Sequence, residues 1–147
     1  LSFYRLPSLH EMAWFDKIQK LYVISPNGIC LFEYNFHQKE SKGEDTFSDL
    51  TTSAIMAIRD LIQEMSAKGK EIVESIRKDQ FILLLAQGNH IISVIISTED
   101  SLVLREKNHL FCEQFESTYH QLLEKWSGNV SVFTQASEIV KRVFLNQ

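Results

Sequence analysis

The chain has 147 residues, of which 44% are hydrophobic and 23% charged, and it carries a net charge of −4. These are ordinary values for one globular domain, large enough to bury roughly 70% of the surface its unfolded chain exposes. The acidic balance, with Lys and Arg scattered along the chain, argues against a broad footprint on nucleic acid or anionic lipid.

Residues 1–19 read as an N-terminal extension, and residues 20–147 as the domain. Within the extension, Ser8 and Glu11 form a capping-box pattern that predicts a short helix over 9–17. Next comes "LYVISPNGICLFEYNF", two apolar runs about Pro26-Asn27-Gly28, which predicts a β-hairpin with strands over 20–25 and 29–36. Simple alternation sets Ile29, Leu31, Glu33 and Asn35 on one face of the second strand and Cys30, Phe32, Tyr34 and Phe36 on the other, as suits an edge strand.

A charged loop over 37–46 precedes a helical period at Leu50, Ala54, Ile58, Leu61, Ile62 and Met65, closed by Gly69. Strands then follow over 71–78, 80–87 and 90–98. The first alternates and belongs at an edge, whereas the other two are nearly continuous apolar runs that need cover on both faces. A helix over 100–126 carries the stripe Leu104, Phe111, Phe115, Tyr119, Leu122 and Trp126, with Gly128 as its left-handed cap. A last helix over 134–145 presents Ala136, Ile139, Val140, Val143 and Phe144.

The element order is β-β-α-β-β-β-α-α after a short N-terminal helix. It predicts an α+β fold, a five-stranded, mainly antiparallel sheet with helices on both faces.

Chemistry-bearing patterns are missing. The five histidines, His10, His37, His90, His109 and His120, have no metal-ligand spacing. The glycines stand singly, so neither a GxGxxG nor a P-loop can be drawn through them. The pairs Glu44-Asp45 and Glu99-Asp100 sit at predicted helix starts, where negative charge complements the helix dipole. No GxSxG elbow frames a serine. Cys30 and Cys112 read as unlinked thiols of a reducing compartment. No apolar run approaches the ~20 residues of a membrane span, and no signal peptide is evident. A non-enzymatic, cytoplasmic chain without cofactor, metal or transmembrane segment is the expectation.

The hairpin "LYVISPNGICLFEYNF" followed by loop, long helix, three strands and two helices resembles the longin fold, which is profilin-like. The closing "YHQLLEKWSGNVSVFTQASEIVKRVF" is similar to the end of archaeal longin-type and roadblock-like small proteins. The resemblance implies a protein-binding platform in a vesicle-trafficking type of complex. Its implied partners are a small Ras-like GTPase, a second longin or roadblock domain, or a second copy of the chain, with membrane association only through them.

Sheet edges supply the candidate contact residues, because an edge strand offers unpaired main-chain groups to another sheet. They are Glu33, Tyr34, Asn35 and Phe36 on one edge and Glu71, Ile72, Glu74 and Ile76 on the other. Ile55 and Met56, off the apolar stripe of the first long helix, complete the set. The competing expectation is a small-molecule sensor of PAS or profilin-like type. Its ligand would lie between sheet and helix, with Ser93 and Gln87 as the polar groups.

Overall fold

The computed structural model describes residues 14–37, 56, 58, 60, 75–78 and 80–145. A single helical turn, α1 (Trp14–Lys17), runs into β1 (Ile18–Ile24) and β2 (Cys30–Asn35). Then come β3 (Ser75–Lys78), β4 (Phe81–Gln87), β5 (Ile92–Ser97), α2 (Leu102–Thr118) and α3 (His120–Glu124). A 3-10 segment (Val130–Ala136), α4 (Ser137–Val140) and a π-wound turn (Lys141–Leu145) close the described chain. The expected helix over 9–13, the loop over 38–46, the strand start over 71–74, and Ile55, Glu71, Ile72 and Glu74 lie outside the described residues. Of the helix between β2 and β3, Met56, Ile58 and Asp60 are described, and all three are helical.

The fold is α+β. All described strand pairs are antiparallel, in one open sheet of order β2-β1-β5-β4-β3. The alternating strands β2 and β3 occupy the edges and the continuous apolar strand β5 the centre, as expected from their patterns. Because side chains alternate along a strand, the sheet builds a core on each face. Leu21, Val23, Ile82, Leu84, Ala86 and Ile95 face α2 and the C-terminal segments, meeting Leu104, Phe111, Phe115, Phe133, Ile139 and Phe144. Tyr22, Ile24, Leu83, Leu85, Ile92, Val94 and Ile96 form the opposite core, into which Ile58 is buried.

The hairpin closes through a three-residue loop. Gly28 donates to the Ser25 carbonyl at 2.8 Å, and Ser25 N–H donates to the Ile29 carbonyl at 2.9 Å. Gly28 has φ 85°, a conformation that costs a residue without Cβ nothing.

Four expectations are corrected. Simple alternation in β2 fails, because Val23 lies opposite Phe32 while Ile24 lies opposite Cys30. Leu31 is thus an extra residue, a β-bulge. It brings Leu31, Phe32 and Tyr34 to the α2 side and leaves Cys30 on the far core. Second, the helix expected over 100–126 stops at Thr118. Tyr119, at φ −108° and ψ 21°, caps it, and its ring packs 4.8 Å from Phe115 and 5.1 Å from Phe133. Third, Gly128 is left-handed (φ 96°) but lies in the loop beyond Lys125, which caps α3.

The expected last helix likewise changes its winding. Tightening to 3-10 and loosening to a π turn keeps Phe133, Ala136, Ile139, Val140, Val143 and Phe144 on the buried side.

Candidate functional site

The β2 edge is built by the hairpin. Phe36 N–H donates to the Gln19 carbonyl at 3.1 Å. By the two-residue period of the ladder, Phe36, Tyr34 and Phe32 direct their main-chain groups at β1, and Glu33 and Asn35 direct theirs outward. The strand order ends at β2, so no described strand meets those outward groups. Glu33 is exposed, Tyr34 and Asn35 are half-buried, and Phe36 is buried. The Phe36 ring packs 5.0 Å from Tyr34 and 5.2 Å from Phe144, which ties the edge to the core.

Elsewhere the sequence candidates are dispersed. Ile76 is half-buried on β3, the other edge, and packs against the far core. Met56 is 60% exposed. The structure therefore brings Glu33, Tyr34, Asn35 and Phe36 together, and places Ile76 at the opposite edge, with three strands between.

A second feature went unforeseen. At the β4–β5 turn a cleft of about 560 Å³ is lined by Gln87, Gly88, Asn89, His109, Cys112, Glu113 and Glu116. The Glu116 carboxylate accepts from His90 N–H at 3.1 Å and lies 3.2 Å from His90 Nδ1. It sits so close over Gly88 that a Cβ there would overlap it. Burial pushes the Cys112 thiol up to about 12, with the Glu116 and Glu113 charges adding to the effect. That thiol is neutral across the physiological range and makes a poor nucleophile. The i, i+4 spacing of Cys112 and Glu116 on a helix after an isolated turn glycine was the available signal.

Between sheet and helix, the polar groups satisfy one another. Asn108, fully buried on α2, accepts from Ser93 Oγ at 2.6 Å and donates to the Leu84 and Ser93 carbonyls at 3.1 Å each. Ser93, the serine expected to meet a ligand, is thus engaged by α2, while Gln87 is exposed at the cleft. A polar residue four positions after Leu104, on the apolar stripe, marked Asn108 in the sequence.

The acidic pair after β5 sits directly before α2, at a helix start as expected, and each carboxylate also holds a cation. Glu99 bonds Lys17 at 2.8 Å. Asp100 takes a two-point bond from Arg105, 2.9 Å to Nε and 2.7 Å to Nη2, which holds its carboxyl below the usual range. The first ties α1 to the loop after β5 and the second braces the first turn of α2, with Ser101 as the helix cap.

Among the described residues no group of three or more His, Cys, Asp or Glu is placed to hold a metal ion. No described helix is long and apolar enough to cross a membrane. Comparison with protein-family models gave no match, and comparison with curated proteins gave none either.

Proposed function

We propose that this chain is a non-enzymatic protein-interaction platform of longin type that works by strand addition at β2. Its partner class is a small Ras-like GTPase or a longin or roadblock domain in a trafficking-like complex. The observation that carries the proposal is the β2 edge, which no described strand meets, with Glu33 and Asn35 presenting main-chain groups outward on a strand anchored to the core by Phe36. Main-chain bonds of this kind supply affinity, and the alternate side chains select the partner. The α+β architecture with a five-stranded antiparallel sheet agrees with the longin resemblance of the hairpin and of the chain's closing segment. The partner class itself rests on that resemblance alone.

The test is light scattering of the purified chain mixed with small Ras-like GTPases, loaded with GDP or a GTP analogue, and with longin and roadblock domains. A rise in mass with one of them, lost on Glu33→Pro, is expected. Proline removes only an outward N–H at that position and so suits an edge strand. No rise in mass with any of these proteins in either nucleotide state would overturn the proposal.

A further inference from the structure

Along α2, His109, Cys112, Glu113 and Glu116 stand at i, i+3, i+4 and i+7, the spacing of one helix face. That face meets the β4–β5 turn, and the cleft of about 560 Å³ between them is lined wholly by described residues. Its volume falls in the range of small-ligand sites. Gln87 and Asn89 form the turn's side of the cleft, and both are exposed, as are His109 and Glu113. The floor is the buried Cys112, whose thiol is directed at the Ala86 carbonyl, 3.6 Å away.

The lining defines its guest. The side chains of Gln87, Asn89, His109 and Glu113 make no hydrogen bond or ion pair with another described residue. Charge in the cleft is one-sided: Glu113 and Glu116 bring carboxylates, and no Lys or Arg is among the lining residues. Both charges reach the floor, where burial first and then Glu116 and Glu113 push the Cys112 thiol up to about 12. The cleft therefore has a neutral sulfur at its base and negative charge beside it. Glu116 is held in place by the His90 N–H at 3.1 Å, whereas the exposed Glu113 can turn toward a guest.

A cation with several donors suits these acceptors. An ammonium is a compact, strongly hydrated charge and gains little from acceptors spread over two walls. A guanidinium is planar, more weakly hydrated, and carries five N–H donors in a fixed fork. It can lie flat on the Cys112 sulfur, take Glu113 in a two-point bond and reach the amide oxygens of Gln87 and Asn89.

We propose that the cleft between the β4–β5 turn and α2 receives a guanidinium group, with Glu113 as its main partner. The proposal goes beyond the platform reading and uses no part of β2. Guanidinium groups end arginine side chains and also occur in free guanidino compounds, and the same lining recognises both.

The experiment follows the amide chemical shifts of the labelled chain as probes are added. These are a blocked Gly-Arg-Gly peptide, the same peptide with lysine or with citrulline (the neutral isostere of arginine), and agmatine. The arginine peptide is expected to shift the amides of residues 87–89 and 112–116, with a Kd on the order of 1 mM for so few contacting atoms. The lysine peptide binds about fivefold more weakly, and the citrulline peptide does not bind. Glu113→Gln keeps the size of an exposed side chain and weakens arginine binding about fivefold, the contribution of one solvated ion pair. Salt at about 0.5 M has a similar effect.

Agmatine bound as tightly as the arginine peptide assigns the cleft to free guanidino compounds, and a tighter peptide assigns it to arginine in a protein chain. Citrulline binding equal to arginine, unchanged binding by Glu113→Gln, or no shift with the arginine peptide up to about 10 mM overturns the proposal. The Glu33→Pro test of the platform leaves this cleft intact, so the two proposals fail separately.

Discussion

Gly88→Ala tests how the β4–β5 turn is fastened to α2. A Cβ at Gly88 would overlap Glu116 Oε1, lie 2.7 Å from Glu116 Cδ and 3.1 Å from Cys112 Sγ. The carboxylate is the end of a flexible side chain and can swing away, so the steric demand itself is cheap to relieve. What the displacement breaks is the contact with His90, 3.1 Å to its N–H and 3.2 Å to its Nδ1.

A hydrogen bond to a charged group contributes about 1.5–3 kcal/mol. The Glu116 side chain is 15% exposed and regains water when it moves, which offsets part of the loss. Gly88 does not share the left-handed conformation of Gly28 and Gly128, so alanine there also recovers about 0.4–1 kcal/mol of unfolded-state entropy. The net expectation is destabilisation by about 1–2 kcal/mol, a drop of about 0.5–1 M in the urea midpoint with the slope unchanged. In a Glu116→Ala background the same substitution becomes neutral or slightly stabilising, because the obstructing carboxylate and its bonds are already gone. Urea unfolding of the four proteins of this cycle measures the coupling directly. An equal cost in both backgrounds would refute the account and move the cause to the Cys112 sulfur or to the turn backbone.

Two further expectations concern the interior. Asn108→Ala strips three hydrogen bonds from a buried site and leaves the Leu84 and Ser93 carbonyls facing a cavity; about 2–4 kcal/mol of stability is lost in urea unfolding. Ser93→Ala removes one of those bonds and costs about 1 kcal/mol; equal losses for the two would contradict the bridging role of the amide. The Cys112 thiol, raised from 9.0 to about 12, stabilises the folded chain fully below about pH 9. Unfolded thiol ionises above that point, so this stability is lost as pH rises through about 12. Unfolding curves between pH 8 and 11 therefore show a steeper alkaline decline in the natural chain than in Cys112→Ala, and identical slopes would count against it.

Much of the architecture was legible because burial leaves a periodic trace. The polar alternation around Glu33 and around Ile76 marked β2 and β3 as edges, and the unbroken run from Phe81 to Ala86 marked β4 as covered on both faces. Leu104, Phe111 and Phe115 carried the helix period of α2, and Asn27-Gly28 the hairpin. The Leu31 bulge left no such trace. Leu31 and Phe32 are both apolar, so a strand with or without an extra residue reads alike, and only pairing with Val23 and Ile24 decides the phase. Tyr119 interrupts the helix without a Gly or Pro, for the sake of contact with Phe133 fourteen residues on, which no local pattern encodes. The C-terminal segment was placed correctly by its apolar spacing, but its changes of winding leave no mark in that spacing. Of the candidate contact residues, the β2 group was identifiable as an edge, whereas the Gly88–Glu116 contact joins positions whose individual roles become visible only in three dimensions.

The bulge at Leu31 also bears on solubility. An uninterrupted edge along the whole hairpin would accept any extended chain and could seed fibres. The extra residue kinks and twists β2, leaving a short pairable stretch around Tyr34 between the bulge and the end of the strand. The opposite edge, β3, spans Ser75–Lys78 and carries the exposed cation of Arg77, a poor continuation for that stretch. One displaced residue in the hairpin thus does the work of a gatekeeper, limiting how much of the edge an extended chain could pair with.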